Sequence, residues 1–111
     1  MGLRQEQSAF LLDICKLIQF ATEQGIELTG GELYRTIEQQ KIYFDTGKSK
    51  TMNSNHLKRL AIDFNFFKDG KLTFDRQLLQ PLGDYWASLH PKNRWGGNWK
   101  FVDMAHFERN I

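Results

Sequence analysis

The side chains best suited to chemistry near neutral pH are the histidines His56, His90 and His106, and two of them stand close to aspartates. His56 precedes Asp63 by seven residues, and Asp103 precedes His106 by three. Imidazole nitrogens and carboxylate oxygens both ligate zinc, and two neutral imidazoles with one carboxylate leave a fourth position open for water. With a single anionic ligand such a centre keeps net positive charge, so the ion can polarise a carbonyl and bring a water toward a pKa of roughly 7. A histidine beside an aspartate is also a common structural pair, and either pair alone is compatible with that role. His90, just before Pro91, has no such company and reads as a residue favoured at the negative end of a helix.

Spacing constrains what must position these groups. His56 and Asp63 are an odd number of residues apart, so one regular strand would point them to opposite faces. His56 is therefore expected on a loop or helical turn before the strand that presents Asp63. Asp103 and His106 share a side only if the chain turns between them, whereas His106 and Glu108 share a face in a strand.

The elements follow from periodicity. Phe10, Leu11, Ile14, Leu17, Ile18 and Ala21 recur at spacings of three and four, which predicts a helix over 4–24 ended by Gly25. Residues 26–35 read as a short strand pair interrupted at Gly30 and Gly31, after which Thr36 caps a helix through about Phe44. The polar stretch 45–55 reads as a surface loop; its Gly47-Lys48-Ser49 lacks the earlier glycine of a phosphate loop, because Ile42 stands there. The strongest strand signal is 60–67, with Ile62, Phe64 and Phe66 on one face and Asp63, Asn65 and Phe67 on the other. Asp69-Gly70 supplies turn chemistry before a short strand at 71–74. Leu82, Tyr85, Trp86 and Leu89 mark a helix that Pro81 would open and Pro91 would stop. A glycine loop through Trp95-Gly96-Gly97-Asn98-Trp99 then leads into a final strand. The fold class is α+β: one domain over 1–111, with a central antiparallel sheet packed by helices.

Bulk properties exclude several classes. With 41% hydrophobic and 25% charged residues the chain is too apolar for disorder. Its 15 basic and 13 acidic residues give a net charge of +2 without a long run of either sign. No clustered basic face with base-stacking residues marks a nucleic-acid binder. The single cysteine, Cys15, excludes a disulfide framework or a cysteine zinc ribbon and reads as a buried thiol. The first residues lack the apolar core of a secretory signal, and no stretch approaches the roughly 20 apolar residues of a membrane helix. Synthesis in the cytoplasm, without stable membrane association, is expected.

Ser54-Asn55-His56, Leu60-Ala61-Ile62-Asp63 and Asp103-Met104-Ala105-His106-Phe107-Glu108 resemble, in order and spacing, the zinc motifs of the D-alanyl-D-alanine metallopeptidase family. That family includes carboxypeptidases and phage L-alanyl-D-glutamate endopeptidases, and the similarity extends to residues 32–35 and to Trp95-Gly96-Gly97. The resemblance implies a hedgehog and D-Ala-D-Ala peptidase fold, zinc held by His56, Asp63 and His106, and Asp103 as general base. Arg35 resembles the family arginine that faces the scissile carbonyl, where a fixed positive charge stabilises the oxyanion. Two positions depart from the common pattern. Asp103 stands where many carboxypeptidases carry glutamate, as it does in phage endopeptidases, and Arg59 stands where many relatives carry glycine.

Ser54 can hydrogen-bond substrate or simply shape a turn. Trp95, Gly96, Gly97 and Trp99 can form a substrate-facing rim, or the tryptophans can pack in the core. The expectation is a monomeric zinc peptidase acting on peptidoglycan stem peptides: a phage or prophage endolysin that cuts L-Ala–D-Glu and reaches the wall after holin-type release. A D,D-carboxypeptidase or dipeptidase releasing D-Ala is the alternative enzyme. A catalytically silent zinc domain that binds the wall or a partner protein is the alternative of another class, and it has no need of a base such as Asp103.

Overall fold

A computed structural model describes residues 2–111. Helix α1 (Leu3–Glu23) is followed by β1 (Glu27–Gly30), α2 (Ile37–Asp45), a 3-10 turn at Asn55–Lys58, and β2 (Ala61–Lys68). Then come β3 (Lys71–Leu72), α3 (Arg76–Leu89), β4 (Asn93–Trp95), a second 3-10 turn at Gly96–Asn98, and β5 (His106–Arg109). The strands form one antiparallel sheet in the order β1-β2-β5-β4, with β3 paired to β2. No helix among the described residues is long and apolar enough to cross a membrane.

The pleat of the sheet separates two jobs. On one face Phe64, Phe66, Trp95 and Phe107 meet Phe10, Leu17, Leu82 and Trp86 of α1 and α3 in the core. Trp86 is fully buried, packs edge-on against Phe10 and Phe107, and donates its indole N–H to the Glu108 carbonyl at 3.1 Å. Burying each such aromatic stabilises the fold by about 1.5–3 kcal/mol. The opposite face carries Asp63, His106, Glu108 and Arg94.

Several sequence-based expectations change at this level. The buried stripe of α1 is Phe10, Asp13, Ile14, Leu17 and Ala21, while Leu11 and Ile18 are exposed. Cys15 is also exposed, because one residue beyond Ile14 turns the side chain about 100° away from the core. The glycine-interrupted stretch makes one strand rather than two; residues beyond Gly30 leave the ladder but stay bonded to β2 through Gly31 N–H to Asp63 O and Asp63 N–H to Glu32 O, and to the 3-10 turn through Arg35 N–H to His56 O. The helix expected to open at Pro81 starts earlier, because the Asp75 carboxylate caps it by accepting from Gln77 N–H at 3.0 Å. Pro81 is then an interior residue without an amide proton to donate. The short strand after the turn covers only Lys71–Leu72, and a strand at Asn93–Trp95 precedes the glycine loop.

Other expectations hold. Thr36 caps α2 by accepting from Gln39 N–H at 3.1 Å, and Asp69 and Gly70, with φ 53° and 78°, make the hairpin turn between β2 and β3.

Arg59 ends the 3-10 turn in the left-handed region, φ 55° and ψ 38°, where glycine is the unstrained residue. Its guanidinium lies 4.1 Å from the Tyr34 ring centroid. Because a β-branched side chain resists this backbone most, Arg59→Val is expected to lower stability by about 1–2 kcal/mol relative to Arg59→Gly. Denaturant unfolding of the two variants measures the difference, and equal stabilities would show that the residue is not strained.

Candidate metal centre

Each group of the site is placed by a different piece of backbone. Ser54 caps the 3-10 turn, its hydroxyl accepting from His56 N–H at 3.2 Å, and the turn lifts His56 to the side of the sheet where Asp63 projects. Asp63 and His106 are directly opposed in the β2–β5 register. The chain between Asp103 and His106 turns, with His106 N–H donating to Asp103 O at 3.2 Å, as the spacing required.

The result is a tight cluster. One ligand atom from each of His56, Asp63 and His106 lies within 4.8 Å of the others. Asp63 Oδ1 is 3.4 Å from His56 Nε2 and 3.2 Å from His106 Nδ1, and the two rings are 5.0 Å apart at their centroids.

Tautomers follow from the partners. His56 Nδ1 faces the Leu33 carbonyl at 2.9 Å, and a carbonyl only accepts, so Nδ1 carries the proton and Nε2 presents its lone pair. That Nε2 is buried and makes no hydrogen bond. A buried acceptor left bare costs about 1–3 kcal/mol, and a cation between the three residues would satisfy it. His106 is oriented the other way round: Nε2 lies 2.7 Å from Glu108 Oε1, leaving Nδ1 toward Asp63. The donor set and the bare Nε2 thus suit a metal ion with His56 ligating through Nε2 and His106 through Nδ1.

The electrostatics agree. Burial would raise the Asp63 carboxyl, but the hydrogen bond from His106 and the nearness of the His56 imidazole outweigh it and hold the group well below the usual carboxylate range. Burial would lower His106, yet Asp63 and Glu108 on its two nitrogens push it up to about 9. Its Nδ1 proton is therefore one that a metal ion has to displace. Asp103 is raised, first by burial and then by the Asp63 charge.

These groups open onto a cleft of about 430 Å³ whose walls include Arg35, Ser54, Trp99 and Asp103. Arg35 Nε donates to Glu32 Oε1 at 2.5 Å and its Nη1 to Gln40 Oε1 at 2.7 Å, so the guanidinium is held in place beside the cleft. Trp99 lies tilted against the His106 ring at 5.1 Å. Of the two placements open to Trp95, Gly96 and Gly97, rim or core, the fold takes the second: all three are buried beneath the cleft. Trp95 is 2% exposed, stacks on Phe107 and donates to the Met104 carbonyl at 2.8 Å. A Cβ on Gly96 would come within 2.4 Å of Asp103 O and 3.2 Å of His106 Cβ, so this glycine lets the Asp103 turn sit against the second 3-10 turn. His90 caps the end of α3, remote from the cluster in sequence and role, its Nδ1 accepting from Lys92 N–H.

Sequence reasoning did not find the supporting shell. Glu108 is buried on β5, accepts from His106, and is held in turn by Arg94 Nε at 2.8 Å across the β4–β5 pair. The same-face spacing of His106 and Glu108 was its one signal. The Leu33 carbonyl, like any backbone atom, left none.

The family model described as D-alanyl-D-alanine carboxypeptidase matches residues 47–109, a span that contains every group of the cluster. The chain belongs to this peptidase family. A relative, the L-alanyl-D-glutamate peptidase of Listeria phage A118, is 33% identical over 97 residues, covering 86% of this chain and 34% of the relative. The chain thus spans only about a third of that protein's length. The crystal structure of Serratia marcescens L-Ala D-Glu endopeptidase ChiX superposes with a TM-score of 0.70 at 20% identity, covering 96% of this chain and 85% of that one. The α+β fold expected from the family resemblance is therefore the fold observed.

Removing the carboxylate behind a ligating histidine typically weakens metal binding about 10- to 100-fold. Glu108→Gln is expected to reduce the cluster's affinity for a divalent metal ion by about that range, measured by competition with a chromophoric chelator. Wild-type affinity in this variant would mean that Glu108 does not orient His106.

Proposed function

We propose that this protein is a zinc peptidase of bacterial cell walls, an endopeptidase that cuts the L-Ala–D-Glu bond of peptidoglycan stem peptides. The observation that carries the reading is the buried, unpartnered Nε2 of His56 next to Asp63 and His106, with Asp103 on the wall of the same cleft. The similar phage A118 and Serratia proteins, an L-alanyl-D-glutamate peptidase and an L-Ala D-Glu endopeptidase, suggest the bond.

In this proposal His56, Asp63 and His106 hold the ion. Bound there, zinc supplies Lewis acidity, polarising the scissile carbonyl and making a water more acidic. Asp103 takes the proton from the attacking water and returns it to the leaving amine, a role that suits a carboxyl whose proton affinity is raised. Arg35, already oriented by Glu32 and Gln40, offers a fixed positive charge to the developing oxyanion. Ser54 shapes the His56 turn, lies 3.5 Å from Arg35 Nη1 and stands on the wall of the cleft, where its hydroxyl is placed to meet substrate. The protein works as a monomer on the wall, reaching it after release through an opened membrane, as a phage lysin does.

The description of the matching family favours one second reading, a D,D-carboxypeptidase. Digestion of purified muropeptides with zinc-loaded protein, followed by mass spectrometry, separates the two. A new amino terminus on D-Glu is expected; released D-Ala would replace the endopeptidase by the carboxypeptidase, and unchanged muropeptides would remove both. The roles separate too. Asp103→Ala is expected to keep zinc and lose activity by about 100-fold or more, whereas Asp63→Ala loses both. Equal zinc loss in the two variants would contradict the assignment.

A further inference from the structure

Four cationic side chains line the cleft, and they divide into two kinds. Arg35 is ion-paired with Glu32, and Arg94 with Glu108. Lys48 and Lys50 take part in no ion pair among the described residues; their Nζ atoms rest over aromatic rings, 5.7 Å from the Tyr43 centroid and 5.0 Å from that of Phe101. Two ammonium groups without counter-charges, on the wall of a cleft, complement an anion.

The loop that carries them is held from beneath. Gln40 is the buried residue of α2 and is 0% exposed. Its Nε2 donates to Ser49 Oγ at 2.9 Å and to Thr51 O at 2.6 Å, and its Oε1 accepts from Arg35. A buried amide would cost the fold unless so bonded, and the three bonds satisfy it. Lys48 and Lys50 therefore flank a pinned Ser49, and the same amide sets the register between their loop and Arg35.

We propose that Lys48 and Lys50 form the subsite for the free carboxylate of the D-glutamate on the leaving-amine side of the scissile bond. This rests on the endopeptidase reading above. The alanine side of an L-Ala–D-Glu bond offers no side-chain charge, whereas the glutamate brings a carboxylate within a few bonds of the scissile nitrogen. Two exposed ammonium groups meeting it each contribute modestly, are screened by salt, and act mainly on binding. Arginine keeps the charge and is expected to keep the function.

Steady-state kinetics of the zinc-loaded protein test this on two synthetic stem peptides, one with the D-glutamate carboxylate free and one with it amidated. The wild type is expected to cleave the acidic peptide with kcat/KM about 10-fold above the amidated one, the preference shrinking as salt is added. The double variant Lys48→Met/Lys50→Met is expected to raise KM for the acidic peptide about 10-fold, with an unaltered melting temperature and zinc content, and Lys48→Arg/Lys50→Arg to keep the preference. A double methionine variant that cleaves the acidic peptide with wild-type KM overturns the subsite and leaves the endopeptidase standing. If the wild type cleaves neither peptide, the endopeptidase reading falls and the subsite with it.

Discussion

The antiparallel register that sets Asp63 opposite His106 is the constraint on which the molecule depends. Because side chains alternate across a sheet, that one alignment sends Phe64 and Phe107 to the helices while His106 and Glu108 face the cleft and Asp63 meets His56 and His106 beside it. A slip of one residue would exchange the two sets, burying a carboxylate and an imidazole in the core and exposing aromatics. The apolar packing of α1 and α3 thus enforces the geometry of the polar face, and the site is preorganised by the same interactions that stabilise the fold.

The strand that carries His106 is anchored from both sides. On the cleft face Glu108 reaches Arg94 across the β4–β5 pair. On the other face Arg109, 2% exposed, meets Asp13 of α1 at 2.5 Å and Asn93 at 3.1 Å. Such a buried pair adds little net stability over apolar packing, but breaking one partner would strand a charge, so it specifies how α1 and β5 dock. Against this strand, His56 comes from a separate turn whose position depends on Ser54 and on the irregular segment around Leu33. The site is therefore a junction of a sheet with two irregular segments.

Much of this was written in local pattern. The apolar spacing of α1, the alternation of 60–67, the Thr36 cap and the Asp69-Gly70 turn each depend on a few neighbouring residues, and each forms where expected. The odd separation of His56 and Asp63 demanded a turn, and a 3-10 turn stands there. Where the pattern left a choice open, a non-local contact made it. Trp95 lies in the core and not on the rim because Gly83 and Gly97 leave room for its ring, and neither glycine announces that from its own place in the chain.

By itself the sequence determined which residues can bind a metal ion, how they must be spaced, and the family they belong to, because motif order and periodicity are properties of the chain alone. Only the tertiary structure decided which nitrogen of each histidine faces the cluster. That choice is made by Leu33 and Glu108, partners brought to opposite sides of the cluster by the fold. It also decided that two lysines stay without counter-charges while their arginine neighbours do not, since pairing depends on distances that only the folded chain sets.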